Sequence, residues 1–249
     1  MTRPVVLVTG GGRRVGAGLC RELSSDYAVA IHYHRSVAEA EALEADLKAR
    51  GRDVARFAAD LAVPAERAAL IPAVKAHFGR LDVLINCASL FKYDAIDTLT
   101  PELWQAHIDS NLTAPVFLIK ALAEAGGQVA INILDQKVVN PNPDFLSYTA
   151  GKMGLAGLTQ PLAMALAPKV RVCGLAPGLV LPSGDQTEAD FQAAARATPL
   201  GLTCTIADLA RAVRFMIDTP SFTGQIVTVD GGESLTGRPR DVAFDVKAP

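Results

Sequence analysis

Short runs of apolar, β-branched residues alternate along this chain with longer segments of helical period. This alternation is typical of a parallel sheet that is covered by helices on both faces. We therefore expect an α/β fold, a single doubly wound domain over residues 1–249 with a seven-stranded parallel sheet. The strands are predicted at Val5–Thr9, Ala28–Tyr33, Val54–Ala58, Val83–Asn86, Gln128–Ile133, Val170–Leu175 and Ile226–Val229. The helices are predicted at Val15–Leu23, Val37–Arg50, Pro64–Phe78, Pro101–Glu124, Tyr148–Leu166 and Ile206–Ile217.

One segment, residues 179–205, interrupts the alternation and is rich in Pro, Gly, Thr and Asp. It follows a predicted strand, and ligands of open α/β sheets bind beyond the carboxyl ends of strands. We expect a substrate lid there, with a short helix at Glu188–Ala197 that Thr187 caps. A plain surface loop is the alternative. Elsewhere, Pro115 lacks a backbone donor and is expected to bend the fourth helix.

Composition argues against several classes of protein. The chain is 50% hydrophobic and its net charge of -2 gives no bulk attraction to nucleic acid or acidic membranes, so we predict neither as a partner. The apolar run Val5–Val8 is too short for an export or membrane segment, and a cytoplasmic location is expected. The four cysteines lack the spacing of a metal or disulfide motif and are predicted to be reduced thiols. His32 and His34 have no evident third ligand, so no metal site is expected.

A glycine-rich turn, TGGGRRVG at Thr9–Gly16, follows the first predicted strand and opens a helix. In that context glycines let the backbone approach a pyrophosphate, and the N–H groups of the helix N-terminus point at the anion. The turn therefore predicts a dinucleotide site. Its candidate residues are Gly10, Arg13, Arg14, Val15 and Gly16.

The end of the second predicted strand indicates which dinucleotide is bound. NAD-dependent proteins carry an acid there for the ribose 2′-hydroxyl, whereas this chain reads Tyr33, His34, Arg35 and Ser36. A guanidinium, a hydroxyl and an imidazole suit a 2′-phosphate, and Arg14 adds positive charge nearby. We predict NADPH/NADP+ as the cofactor. A solvated basic loop is the alternative.

Tyr148 and Lys152 are four residues apart at the start of a predicted helix and so share one face. An ammonium beside a phenol favours the phenolate, so we expect Lys152 to lower the pKa of Tyr148. The phenol would then serve as a general acid near neutral pH. The lysine can also bond the nicotinamide ribose. This spacing alone is unspecific and often arises by chance on a surface.

Further motifs stand in order along the chain: the glycine turn, Asn86–Ser89, Asn111, Tyr148 with Lys152, and Pro177–Gly178. This set resembles the short-chain dehydrogenase/reductase family over nearly the whole chain. The resemblance implies a Rossmann fold, a homotetramer that packs through Asp230–Gly232, and an Asn111 that holds a water in a proton relay. It also implies cofactor contacts by Asp60, Leu61, Asn86, Ala88, Ser89, Tyr148, Lys152, Pro177 and Gly178.

One position departs from the common pattern of that family. The usual serine, thirteen residues before the tyrosine, is Asp135 here, and Cys87 and Ser89 alter the loop after the fourth strand. A carboxyl group can pass a proton through the phenol to a ring nitrogen. These changes, with HYHRS at His32–Ser36 and Gly178–Leu181, resemble the pteridine reductase branch, which includes dihydromonapterin and dihydrofolate reductases.

The branch implies a reaction: hydride transfer from NADPH to a C=N bond of a pterin stacked on Phe91. Tyr148 would donate the proton, Lys152 and a water near Asn111 would replenish it, and Asp135 would orient Tyr148 or serve as a second proton source. The implied substrate residues are Arg14, Ser89, Phe91, Asp135, Tyr148, Leu179 and Leu181.

Alternatives remain for both the residues and the function. Phe91 could be a core residue, Asp135 a cap, and Ser89 a partner of local backbone. A carbonyl reductase acting on 3-oxoacyl thioesters or small ketones is the alternative enzyme, and residue 135 discriminates, because that branch has serine. A non-catalytic NADP(H)-binding sensor is disfavoured, because both Tyr148 and Lys152 are present.

Overall fold

Seven parallel strands form one sheet in the computed structural model, which describes residues 3–184 and 186–245. Asp185 in the predicted lid, and residues 1–2 and 246–249 of the predicted domain, lie outside the described residues. The strands are β1 Val5–Val8, β2 Ala28–Tyr33, β3 Val54–Ala58, β4 Val83–Asn86, β5 Val129–Ile133, β6 Arg171–Pro177 and β7 Ile226–Val229. Their order is β3-β2-β1-β4-β5-β6-β7, so the chain reverses its direction of travel between β1 and β4. In sheets of this kind a ligand crevice opens at that point.

Helices cover both faces of the sheet. They are α1 Arg14–Leu23, α2 Val37–Ala49, α3 Pro64–Phe78, α4 Pro101–Ile108, α5 Ala114–Glu124, α6 Leu146–Leu166, α7 Glu188–Arg196, α8 Ile206–Asp218 and α9 Val242–Asp245. Successive side chains of a strand point to opposite faces. Val6 and Val8 therefore pack with α1, α2 and α8, and Val5 and Leu7 pack with α3, α5 and α6. The predicted α/β fold with a seven-stranded parallel sheet is confirmed.

The predicted strands agree with the observed ones to within two residues, and β6 runs two residues further, to Pro177. The single fourth helix predicted at Pro101–Glu124 is wrong. A π-helical turn at Asp109–Thr113 separates α4 from α5. Pro115 has no N–H to donate to the carbonyl four residues earlier, that of Asn111, and the helix changes its hydrogen-bond period just before it.

The interrupting segment contains the predicted short helix, α7. Thr187 caps it in a reciprocal arrangement with Asp190, in which each side chain bonds the backbone N–H of the other residue. The cap prediction is therefore confirmed. All four cysteines are free thiols. Among the described residues, no helix combines the length and apolar character needed to cross a bilayer.

Candidate active site

The glycine turn is pressed against the loop that follows β4. Gly10 has a φ of 65°, and a side chain there would begin 2.8 Å from the Cα of Ala88. The Gly10 N–H donates to Nδ1 of His32 at 3.0 Å, so Nε2 of that ring donates to the carbonyl of Ala59 at 3.0 Å. Burial lowers the pKa of His32 to about 4. His32 is thus a neutral structural residue with both ring nitrogens bonded, which leaves neither nitrogen free for a metal.

Two helix N-termini meet beside this turn. Arg13 precedes α1 and Ser36 precedes α2, and neither side chain caps its helix within the described part of the chain. Ser36 Oγ lies 2.7 Å from where a side chain at Gly12 would begin, so its hydroxyl faces the turn. Uncapped N–H groups, a hydroxyl and the exposed side chains of Arg13, Arg14 and Arg35 form a donor set that fits phosphate groups.

The other residues predicted at this site lie either at the rim of the crevice or inside the protein. His34 Nε2 lies 3.6 Å from the Asp60 carboxylate at the rim of the crevice. Tyr33 is buried, and its hydroxyl accepts from Arg56 at 3.3 Å, so its ring points toward β3. Leu61 is buried and Val15 packs on the core.

The sequence analysis missed the role of Thr9. Its hydroxyl accepts from the backbone N–H groups of Cys87 and Ala88, at 2.9 and 3.0 Å. Thr9 therefore fixes the loop after β4 against the glycine turn. A threonine between the first strand and the glycines was the available signal.

Tyr148 and Asp135 meet as a hydrogen-bonded pair at the carboxyl end of β5. The Tyr148 hydroxyl donates to Asp135 Oδ2 at 2.7 Å, and the Lys137 N–H donates to Oδ1 at 2.9 Å. Burial raises the pKa of Asp135. Burial and the adjacent Asp135 carboxylate raise the pKa of Tyr148 well above its ordinary value. Asp135 is also the cap of a 3₁₀ turn at Gln136–Val138, the alternative considered for it, so it holds the turn and the phenol together.

The expectation that Lys152 lowers the pKa of Tyr148 is wrong. Lys152 Nζ donates to the Ile133 carbonyl at 2.7 Å and lies 5.7 Å from the centre of the tyrosine ring. Burial lowers the pKa of Lys152. Sequence spacing shows the attraction between ammonium and phenolate but not the burial of the phenol or the carboxylate next to it. Both of these keep the proton on the phenolic oxygen.

Asn111, in the π-helical turn, binds the loop that carries Ser89 and Phe91. Its amide donates to the Leu90 carbonyl at 2.9 Å and accepts from the Leu90 N–H at 2.8 Å. Ser89 is exposed, and its hydroxyl contacts the Leu90 carbonyl and the Asn111 oxygen, each at 3.3 Å. Asn86 is buried and its side chain donates to Asn132 at 3.0 Å, so that side chain is bonded within the sheet.

Phe91 is 42% exposed, which makes it a surface side chain rather than part of the core. Its ring meets Tyr148 edge-on, with centroids 4.7 Å apart. One face is stacked on Phe145 at 4.2 Å and 14°. Phe145, a residue that the sequence analysis missed, thus backs the aromatic ring beside the phenol.

A C-terminal segment, residues 238–245, packs over this corner and was also missed. Arg240 donates twice to the Asp144 carboxylate, at 2.8 Å each, and Lys137 pairs with Asp241 at 2.8 Å. Phe244 stacks on Phe145 at 6.0 Å. Sequence patterns carry little signal for these contacts, since they join residues about 100 positions apart through loops.

Glu233 is a second buried carboxyl near Asp135 and was missed as well. It accepts from the Leu179 N–H at 3.1 Å at the start of the interrupting segment, beside Gly178 and Pro177. Burial, and then the charge of Asp135, raise the pKa of Glu233 to about 7. Leu179 and Leu181 are partly buried, and Arg14 Nη2 donates to the Pro182 carbonyl at 2.8 Å, which joins the glycine turn to that segment.

Comparison with known proteins agrees with this geometry. A model of the short chain dehydrogenase family matches residues 4–194. Pteridine reductase 1 of Leishmania tarentolae is 33% identical, with 94% of this chain and 98% of that protein aligned. A 3-oxoacyl-[acyl-carrier-protein] reductase of Synechocystis is 32% identical, with 93% and 97% aligned.

Two solved structures extend the comparison. FolM alternative dihydrofolate reductase 1 from Brucella canis, complexed with NADP, has 36% identity and a TM-score of 0.87, covering 94% of this chain and 95% of that chain. The Brucella suis protein of the same name, also in complex with NADP, has 37% identity and a TM-score of 0.89, covering 94% and 96%. The chain therefore belongs to the short-chain dehydrogenase family of oxidoreductases.

Proposed function

We propose that this protein is an NADPH-dependent reductase that transfers a hydride to a C=N bond of a dihydropterin or dihydrofolate. The observation that carries the proposal is the 2.7 Å hydrogen bond between Tyr148 and a carboxyl group, Asp135, in place of a serine. The relatives named pteridine reductase and alternative dihydrofolate reductase support it.

The cofactor, when bound, supplies the hydride. The uncapped N-termini of α1 and α2 would hold its phosphates, with Arg35, Ser36 and His34 for the 2′-phosphate. Asp60 and Leu61 would hold the adenine end. Ala88 and the turn at Pro177–Gly178 would hold the nicotinamide end, and Lys152 its ribose.

The residues of the chain hold and move the proton. Tyr148 keeps its proton because its pKa is raised, and donates it to the ring nitrogen beside the carbon that takes the hydride. The Asp135 carboxylate, whose pKa is raised by burial, then takes up a proton from solvent and passes it to the phenolate across the same contact. Lys152 and a water near Asn111 would connect the pair to solvent. The net reaction adds one hydride and one proton across the C=N bond.

The substrate would lie against Phe91, with Arg14, Ser89, Leu179 and Leu181 around it. Offset stacking on an aromatic ring adds about 0.5–1.5 kcal/mol beyond buried area. Residues 179–205 act as its lid, held near the glycine turn by the hydrogen bond from Arg14 to the Pro182 carbonyl.

The proposal has three further parts. The protein is a single domain over residues 1–249, it forms a homotetramer, and it is located in the cytoplasm. Exposed apolar side chains on α5 and α6 support association of subunits, among them Phe117, Met153 and Met164. Light scattering of the purified protein measures the number of subunits, and cell fractionation tests the location.

A 3-oxoacyl thioester reductase is the second candidate, because relatives at 31–32% identity are named 3-oxoacyl-[acyl-carrier-protein] reductase. An NADPH-oxidation assay with dihydropterins, dihydrofolate and an acetoacetyl thioester side by side separates the two. We expect turnover of the pterin-type substrates. Turnover of the thioester alone would overturn the proposed substrate and leave only a carbonyl reductase.

A further inference from the structure

Three buried polar side chains, Asp94, Ser147 and His107, form a cluster directly behind the candidate active site. The Ser147 hydroxyl donates to the Asp94 carboxylate, and Ser147 Oγ lies 2.7 Å from Nδ1 of His107. Ser147 immediately precedes Tyr148, and Asp94 lies three residues after Phe91. The cluster therefore connects the two sides of the site.

The hydrogen-bond directions follow from the histidine. The Lys92 N–H donates to Nε2 of His107 at 3.3 Å, so Nδ1 carries the ring proton and points it at Ser147 Oγ and the Leu103 carbonyl. Ser147 Oγ therefore accepts a hydrogen bond from His107, and the Ser147 hydroxyl donates one to Asp94. A serine that donates to a carboxylate and is closed to solvent is no nucleophile, so the arrangement is structural rather than hydrolytic.

The cluster also supplies the missing cap of α6. Phe145, the residue before this helix, has a φ of 57° and no capping side chain within the described residues. The Asp94 carboxylate accepts from the Ser147 N–H at 3.1 Å and so satisfies a free donor at the helix N-terminus, where negative charge is favoured. The cap comes from the loop of Phe91, so one carboxylate binds that loop to the helix of Tyr148.

We propose that Ser147, together with Asp94 and His107, is a positioning unit that fixes the Phe91 ring relative to the Tyr148 hydroxyl. The unit touches neither substrate nor cofactor, and it acts through the residues that do. This assignment rests on the proposed function, because it gives Phe91 and Tyr148 their roles. Rigid placement of a reacting pair matters because small displacements cost large factors in rate.

The test compares Ser147→Ala with Thr159→Ala. Thr159 is a buried residue twelve positions further along the same helix, and its hydroxyl donates to the Leu155 carbonyl at 3.1 Å rather than to the loop of Phe91. Ser147→Cys is a second variant, which keeps the volume but bonds weakly. The measurements are kcat and KM for the best dihydropterin, the Kd of NADPH, and hydrogen exchange of residues 89–95 in the cofactor-free protein.

For both Ser147 variants we expect kcat/KM to fall at least about tenfold and exchange of residues 89–95 to rise, while the Kd of NADPH changes less than about twofold. Thr159→Ala should change none of these. Equal kinetics and equal exchange in the Ser147 and Thr159 variants would overturn the positioning role. If wild type reduces no dihydropterin but exchange still rises only in the Ser147 variants, the proposed substrate fails while the coupling of loop and helix stands.

Discussion

Replacing Asp135 with asparagine tests the proton pair without changing its volume. Asparagine keeps one oxygen, which can still accept from the Lys137 N–H that now lies 2.9 Å from Oδ1. Its amide nitrogen then faces the Tyr148 hydroxyl, where the carboxylate oxygen is 2.7 Å away. Tyr148 then loses its charged acceptor and can only accept from the amide, and the side chain has no proton to return to a phenolate.

The size of the effect follows from that lost contact. A hydrogen bond to a charged group is worth about 1.5–3 kcal/mol, and each tenfold change in rate corresponds to about 1.4 kcal/mol. Loss of the bond alone predicts a decrease of about ten- to a hundredfold in kcat, and loss of the proton source extends it toward the ~10²–10⁴ range of general acid catalysis. We therefore expect kcat for a dihydropterin to fall about a hundredfold or more.

The assay is steady-state NADPH oxidation across pH. Because the pKa of Asp135 is raised and the group acts as an acid, kcat of wild type should fall as pH rises through that pKa. Asp135→Asn should lose this limb of the profile. Asp82→Asn is the matched control, a buried carboxyl just before β4 at the amino ends of the strands, and should keep it. A wild-type rate and pH profile in Asp135→Asn would refute the mechanism.

Three further predictions concern the cofactor, the second carboxyl and the C-terminal segment. Arg35→Ala should weaken binding of NADPH far more than that of NADH, and equal losses by fluorescence titration would contradict the 2′-phosphate assignment. Glu233 binds its proton more tightly when folded, so its ionisation destabilises the fold as pH rises from 4.5 to about 7, and Glu233→Gln should gain roughly 3 kcal/mol over wild type across that range in urea unfolding. No relative gain would mean that the carboxyl titrates normally. Arg240→Ala removes the two guanidinium hydrogen bonds to Asp144 and should make residues 238–245 sensitive to limited proteolysis, whereas unchanged cleavage would deny that this ion pair holds the segment.

The sequence predicts the sheet and the proximity of Tyr148 and Asp135, but it does not predict the contacts between loops. The hydrophobic periods predict the end of β5 and the start of α6 to within two residues. Asp135 lies just after β5 and Tyr148 lies in the first turn of α6, so these two boundaries place the residues side by side. The contacts of Glu233 depend on the path of loops after β7 and β6, which hydrophobic period does not describe. The pKa of Tyr148 was predicted in the wrong direction, because spacing reveals a nearby lysine but not the desolvation of the phenol.

Tertiary packing also determines the form of the fourth helix and the surroundings of Phe91, which local sequence patterns predict only in part. Pro115 predicts that the fourth helix is distorted. It does not predict that the distortion is a π-helical turn, in which Asn111 bonds Leu90. Likewise, the resemblance to pteridine reductases points to Phe91, but not to the ring that stacks on it. That ring belongs to Phe145, which has a left-handed backbone conformation just before α6.

The most direct measurement is a crystal structure of the protein with NADP+ and a dihydropterin. We expect the pterin to stack on Phe91, with a ring nitrogen within hydrogen-bond distance of the Tyr148 oxygen, about 2.7–3.2 Å. Asp135 should remain bonded to that oxygen. A pterin bound away from Phe91, or a carboxyl group of Asp135 separated from the phenol, would refute pterin reduction by the Tyr148–Asp135 pair.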